Sequence, residues 1–325
     1  MRQTAVRFPT PEDVERAAAV LRDFLAPTPL QHSHALSEAV DCEVYLKVES
    51  IQPIRAFKVR GALNKIHSLG AEQRSAGVIT ASAGNHGLGV AYAAATFGVH
   101  ATVVVPLDAN RFKVEAIRRL GASVVFAGEN YRGAHVEAVR LQGASGATMI
   151  HAYDDPDVVA GQGTIAIEML QDLERFDTVL VPVGGGGLIG GIALYLKARA
   201  PRTRVIGVEP TGADAMYRSL RAGKVVTLDR VDTIADGLAA SAPSELTFEL
   251  ARRHVDDVVL VEEAEMLKAI RLLFEWEHLL AEPAGAAGVA GLLQHYHATA
   301  GERVVALLSG ANVTGEVMLR ALDSR

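Results

Sequence analysis

Short runs of β-branched and aliphatic residues alternate along this chain with longer amphipathic or alanine-rich stretches. The short runs read as strands at Glu43–Glu49, Val78–Ser82, Thr102–Pro106, Val124–Ala127, Thr178–Val183, Val205–Val208, Val258–Val261 and Val304–Leu308. Between them, segments such as Gly87–Phe97, Arg111–Leu120, Gln162–Leu173 and Glu265–Leu280 read as helices. Near the start, Thr10-Pro11-Glu12-Asp13 supplies a cap residue, a first-turn proline and early acids, which predicts a helix to about Phe24. Strand–helix alternation of this kind requires parallel strands with helical crossovers, so the predicted fold class is α/β with doubly wound open sheets.

At 325 residues the chain exceeds the usual size of one domain, so one large or two interlocked domains are expected. There is no internal repeat or flexible linker, and the crossings between two such domains are expected near Ile51 and Met149. Composition narrows the function classes. Hydrophobic residues make up 49% and charged ones 22%, the balance of a soluble globular protein with an aliphatic core. The net charge of −6 is spread without a basic block, so no nucleic-acid partner is expected. Cys42 is the only cysteine, which excludes an intramolecular disulfide and makes a cytoplasmic setting the expectation. The opening residues have acids and no apolar core of a signal peptide. Thr178 to Leu196 carries no charge, but Pro182 and a glycine cluster would leave backbone groups unpaired in lipid, so no membrane is implied.

Open parallel sheets bind ligands at the carboxyl ends of their strands, which directs attention to four loops. Lys58, flanked by Phe57 and Val59, lies just beyond the strand Glu43–Glu49. A lysine partly desolvated there would have a lowered pKa suited to Schiff-base chemistry; an ordinary surface lysine opening a helix is the alternative. Ser82-Ala83-Gly84-Asn85-His86 follows a strand and opens an alanine-rich helix, which suits a carboxylate, although a plain capped turn with a structural His86 has the same form. Gly184-Gly185-Gly186-Gly187-Leu188 strips side chains from another strand-to-helix loop, so that N–H groups can cradle a phosphate. Ser309, after the last strand, can meet a ring nitrogen or serve as a simple turn residue. The same glycines formally match GxGxxG from Gly185 to Gly190, with Glu209 at the end of the next strand, so an NAD-dependent dehydrogenase is a rival reading. That reading leaves Phe57-Lys58 and Ser82–His86 without a role.

Taken together and in this order, the loops resemble the serine/threonine dehydratase group of pyridoxal-phosphate enzymes, with the tryptophan-synthase-β (type II) fold. The resemblance extends from Thr28-Pro29-Leu30 to Asn312 and takes in Gly161-Gln162-Gly163-Thr164, Asp236-Gly237 and Glu282-Pro283-Ala284-Gly285. It implies pyridoxal 5'-phosphate as cofactor, with Lys58 as its Schiff-base lysine and Phe57 against its ring. It further implies that Asn85 contacts the phenolic oxygen, that Gly184 to Leu188 hold the phosphate, and that Ser309 meets the pyridine nitrogen. The Ser82–His86 loop would take the substrate carboxylate. The activity implied is removal of water and ammonia from a β-hydroxy amino acid such as L-threonine or L-serine, in a homodimer. A smaller domain, residues 53–148, would be inserted into a larger one made of 1–52 and 149–325.

Three positions depart from the group. Ile54-Arg55-Ala56 replaces the usual Thr-Gly-Ser before Phe-Lys. Arg55 then either points to solvent or reaches the substrate's β-substituent, which would suit 3-hydroxyaspartate or, with the added bulk, phenylserine. At the group's optional cation site, Glu209 and the Ala213 carbonyl are present, but Ala215 stands where a second acid is usual, so no metal is expected. No C-terminal regulatory domain and no feedback control are expected. Serine racemisation is the remaining alternative, and Ala83 stands where the group's racemases carry a second serine.

Overall fold

The computed structural model describes residues 7–297, 299 and 301–324. Its strands are β1 (Leu30–Ser33), β2 (Glu43–Val48), β3 (Val78–Ala81), β4 (Ala101–Val105), β5 (Ser123–Phe126), β6 (Thr148–Met149), β7 (Thr178–Pro182), β8 (Arg204–Pro210), β9 (Asp257–Val261) and β10 (Arg303–Leu308). They form two sheets, one of six strands in the order β1-β2-β10-β7-β8-β9 and one of four in the order β5-β4-β3-β6. Every pairing is parallel except that of β1 with β2. The predicted α/β class with open sheets is what the chain adopts.

The eight predicted strands are all present. β1 and β6 escaped notice because Leu30–Ser33 is mostly polar and Thr148–Met149 is only two residues long. Because Met149 pairs with Ile79 and Ile150 donates to the Ile79 carbonyl, the smaller sheet continues past the boundary expected at 148. Helix ends moved for local reasons. The predicted helix from Gln162 begins at Pro156 instead, since the Asp155 side chain accepts from the N–H groups of Asp157 and Val158. The one predicted to reach Leu280 stops at Glu277, where His278 turns left-handed at φ 56. The first stops at Leu21 and not at Phe24.

Three helices join the two sheets: Lys58–His67, Pro156–Asp172 and Gly187–Arg199. They touch backbone to backbone through glycines. A Cβ on Gly161 would lie 2.7 Å from the Gly61 Cα, and one on Gly191 would lie 2.3 Å from the Val159 carbonyl oxygen. Beneath this seam sits a buried charge network. Arg60 donates through Nε and Nη2 to the two carboxylate oxygens of Glu49, each at 2.7 Å, and through Nη1 to Glu168 at 2.6 Å. Lys47 adds a bond of 2.7 Å to the same Glu168, so two cations meet two carboxylates with little water access. Lys58 stands at the first turn of the helix that Arg60 anchors.

Candidate active site

Parallel pairing of β7 with β10 brings the ends of those strands side by side, so the glycine loop and Ser309 emerge together. The segment before Lys58 is tied to the same edge. Phe57 N–H donates to the Ser309 carbonyl at 3.1 Å, Ala56 forms an isolated bridge with Gly310, and Ala311 N–H donates to the Arg55 carbonyl at 2.8 Å. Lys58 therefore begins its helix directly beside the end of β10.

The Lys58 amine donates to the Ala152 carbonyl at 3.0 Å and lies 5.1 Å from the centre of the Phe57 ring. Although the residue retains some accessible surface, its amine is enclosed, and desolvation lowers its pKa from 10.5 to about 8. No carboxylate pairs with it among the described residues. A buried amine with only a carbonyl partner is readily deprotonated, as a nucleophile must be. The surface-lysine alternative does not describe it.

At the end of β3, the helix Asn85–Phe97 starts from Gly84 with no side-chain cap. A Cβ on Gly84 would meet nothing within 4 Å, so open space lies before that helix N-terminus. Ser82 Oγ accepts from Gly84 N–H at 3.2 Å, which shapes the turn, and Ala83 packs against the core of the smaller sheet. His86 behaves differently from the rest of the loop. Its Nε2 hydrogen bonds the Ile150 carbonyl at 2.9 Å, and burial, aided by the charge of Lys58, pushes its pKa down to about 3. Donation to a carbonyl fixes the Nε2–H tautomer, so His86 is a neutral, largely structural residue.

The Asn85 side chain belongs to a short chain of amides and acid. Asn312 Nδ2 donates to the Ile54 carbonyl at 2.9 Å and to Asn85 Oδ1 at 2.7 Å, while Asn85 Nδ2 donates to Glu282 Oε1 at 2.5 Å. Burial, then the charge of Asp236, raises the Glu282 pKa to about 7 against the opposing pull of the Asn85 bond.

The glycine loop opens the helix Gly187–Arg199, again without a side-chain cap. Gly186 sits at φ +88, and a Cβ there would come within 2.6 Å of Met216 Cε and 3.0 Å of Thr247 Cβ. Tyr153 lies over the loop: a Cβ on Gly185 would meet its ring at 2.3 Å, and its hydroxyl donates to the Ala242 carbonyl at 3.2 Å. Ser309 is buried, with its hydroxyl 3.3 Å from the Ala284 carbonyl, a long contact that leaves it free to turn toward a ligand.

Two sequence candidates fall outside this cluster. Arg55 is exposed and left-handed at φ 58, and its hydrogen bonds run through the backbone. Glu209 is fully buried with its carboxylate turned onto the N–H groups of Met216 and Tyr217 at 3.0 and 2.7 Å, and burial raises its pKa to about 8. A carboxyl spent in this way cannot take a ribose, so the dinucleotide reading loses its acidic partner. Sequence reasoning missed Tyr153 and gave Glu282 no role. The signals for Glu282 were its place in the Glu282-Pro283-Ala284-Gly285 run of the resemblance and before a proline that reads as an ordinary helix start, and neither points to a contact with Asn85.

A phosphorylated ring aldehyde suits these residues: an enclosed amine without an acid partner, uncapped N–H groups at Gly186 and Gly187, and a rotatable hydroxyl beside them. The family pattern described as "Pyridoxal-phosphate dependent enzyme" matches residues 21–310. The chain belongs to that family. It is 42% identical over 314 residues to an L-threonine ammonia-lyase of Thermotoga maritima, covering 97% of this chain and 78% of that protein. Among solved structures, maize serine racemase superposes with a TM-score of 0.93 at 34% identity, covering 97% of each chain. The processed form of threonine deaminase isoform 2 from Solanum lycopersicum gives 0.92 at 36%, covering 98% of this chain and 96% of that one. Among the described residues no helix is long and apolar enough to cross a membrane.

Proposed function

We propose that this chain is a pyridoxal-phosphate-dependent ammonia-lyase that converts L-threonine or L-serine to a 2-oxo acid and ammonia. The observation that carries this reading is the Lys58 amine, enclosed, unpaired with any acid among the described residues and set beside the loops that end β3, β7 and β10. Lys58 would hold the cofactor, with Phe57 on its ring, Asn85 at its phenolic oxygen, Ser309 at its nitrogen and the N–H groups of Gly184 to Leu188 on its phosphate. When bound, the cofactor supplies an electron sink for the bond broken at the substrate α-carbon. The uncapped N-terminus at Gly84, Asn85 and His86 receives the substrate carboxylate, with Ser82 and Ala83 lining the turn. Lys58 Nζ, freed by the incoming amino group, takes the α-proton as a general base, and a pKa of about 8 keeps a useful neutral fraction near neutral pH.

The smaller sheet, with the segment from about Pro53, forms a domain inserted into the larger one, and the chain works as a cytoplasmic homodimer. Phe274, Trp276 and Leu280 support the dimer, since they leave apolar surface at one helix end. Ammonia release across a panel of β-hydroxy amino acids, with borohydride reduction and peptide mapping, tests the whole reading. Turnover of threonine or serine with a pyridoxyl label on Lys58 is the expected result. A label on another lysine, or NAD binding by a colourless protein, refutes it.

A further inference from the structure

The amides around Asn85 can be read atom by atom. Asn312 spends both N–H groups, one on the Ile54 carbonyl and one on Asn85, so its orientation is set by its neighbours. The atom of Asn85 facing it must therefore be the carbonyl oxygen, which leaves the amide nitrogen facing Glu282. A flipped Asn85 would set N–H against N–H at Asn312 and carbonyl against carboxyl at Glu282. Glu282 takes one of the two Asn85 N–H groups, and the second has no protein partner among the described residues.

Glu282 is buried against closely packed backbone. A Cβ on Gly310 would lie 2.2 Å from Glu282 Oε1, and one on Gly285 would lie 2.0 Å from the Gly310 carbonyl oxygen. Glu282 N–H also donates to that carbonyl at 3.1 Å. The charged groups facing Glu282 are Asp236, from the turn Asp236–Leu238, and Lys113, from the helix Arg111–Arg119; these two pair with each other and act on Glu282 in opposite senses.

We propose that Glu282 and Asn312 are positioning residues that hold the Asn85 amide with its uncommitted N–H turned to the cofactor ring. This rests on the reading of Asn85 as the donor to the ring oxygen. Asn312 decides which end of the amide is which, and Glu282 holds the nitrogen end. Ionised Glu282 accepts the stronger bond, so positioning weakens as the carboxyl is protonated at lower pH.

The test uses the purified holoenzyme, its apoprotein, and the variants Glu282→Gln, Glu282→Ala and Asn312→Ala, with melting curves to choose a temperature at which each is folded. Cofactor affinity comes from fluorescence titration of apoprotein, and kcat is followed against pH. Glu282→Ala and Asn312→Ala should each weaken cofactor binding by about 10-fold or more, the worth of one hydrogen bond to a charged or oriented group. Glu282→Gln keeps an acceptor oxygen, so its affinity should stay within about 3-fold while the further steepening of the acid limb of kcat near pH 7, below the fall set by Lys58 near 8, disappears. A purely structural role would lower melting temperatures without moving that limb. Wild-type affinity in both alanine variants, or an unchanged limb in Glu282→Gln, overturns the proposal. Borohydride labelling separates the two levels: a label on Lys58 with wild-type-like variants sinks only the positioning role, whereas a label elsewhere overturns the cofactor assignment and this proposal together.

Discussion

Replacing Lys58 by methionine should abolish ammonia release and yet make the apoprotein more stable. The amine is enclosed with only a carbonyl partner, and its pKa falls from 10.5 to about 8 through desolvation alone. A base whose folded pKa is depressed costs stability at every pH below that value, because the unfolded chain binds the proton more tightly. At pH 7 the difference between 10.5 and about 8 corresponds to about 3 kcal/mol, which a methionine of similar length would recover. The cost shrinks as pH rises through 8 and vanishes above 10.5. The assay is urea denaturation of cofactor-free wild type and Lys58→Met at pH 7 and at about pH 10.5, with the m-values compared. Stabilisation of about 3 kcal/mol at pH 7 that falls below about 1 kcal/mol at the higher pH is the expected pattern. A variant no more stable than wild type at pH 7 would show that the amine is solvated, and the argument for a primed base at Lys58 would fail with it.

Gly186→Val should lower cofactor affinity at least about 10-fold and cost about 2 kcal/mol or more, because a β-branched residue resists φ +88 and its side chain would meet Met216 and Thr247; equilibrium dialysis and melting curves read both effects. Arg60→Met should destabilise the protein by about 3 kcal/mol or more, since it strands the buried carboxylates of Glu49 and Glu168, and chemical denaturation gives the number. Ala83→Ser should raise the ratio of racemisation to elimination, as it adds a hydroxyl able to carry a proton where wild type has a methyl; chiral chromatography alongside a 2-oxo-acid assay measures it. Wild type should give far less D-isomer than 2-oxo acid.

Period and punctuation made most of this architecture readable. β-branched runs bounded by proline, glycine and charge mark the strands at β7, β8 and β10, and their parallel order follows from the helices between them. The chemistry-bearing loops were visible because glycine runs and Ser82–His86 sit at strand ends. What stayed hidden depends on contacts distant in sequence. Nothing near Glu282 announces that an amide almost two hundred positions away would donate to it. Tyr153 lies in an irregular segment with no periodic pattern, so only the folded chain shows its ring against Gly185. Arg55 could be read either way from sequence, as solvent-facing or as a substrate contact, and only the folded chain shows the residue exposed on a left-handed backbone.

The glycine contacts linking Gly61 to Gly161 and Val159 to Gly191 act as a fixed ruler. The helix opened by Lys58 and the helix opened by the glycine loop are both gauged against the same middle helix, main chain to main chain, with no side-chain rotamer in the path. The spacing between amine and phosphate cradle is therefore insulated from mutational drift in the surrounding core. Variation is free to accumulate on the opposite wall, formed by the loops of the smaller sheet to which the proposed function assigns the substrate. A protein engineer seeking a new β-substituent would alter that wall and leave every glycine of the ruler in place.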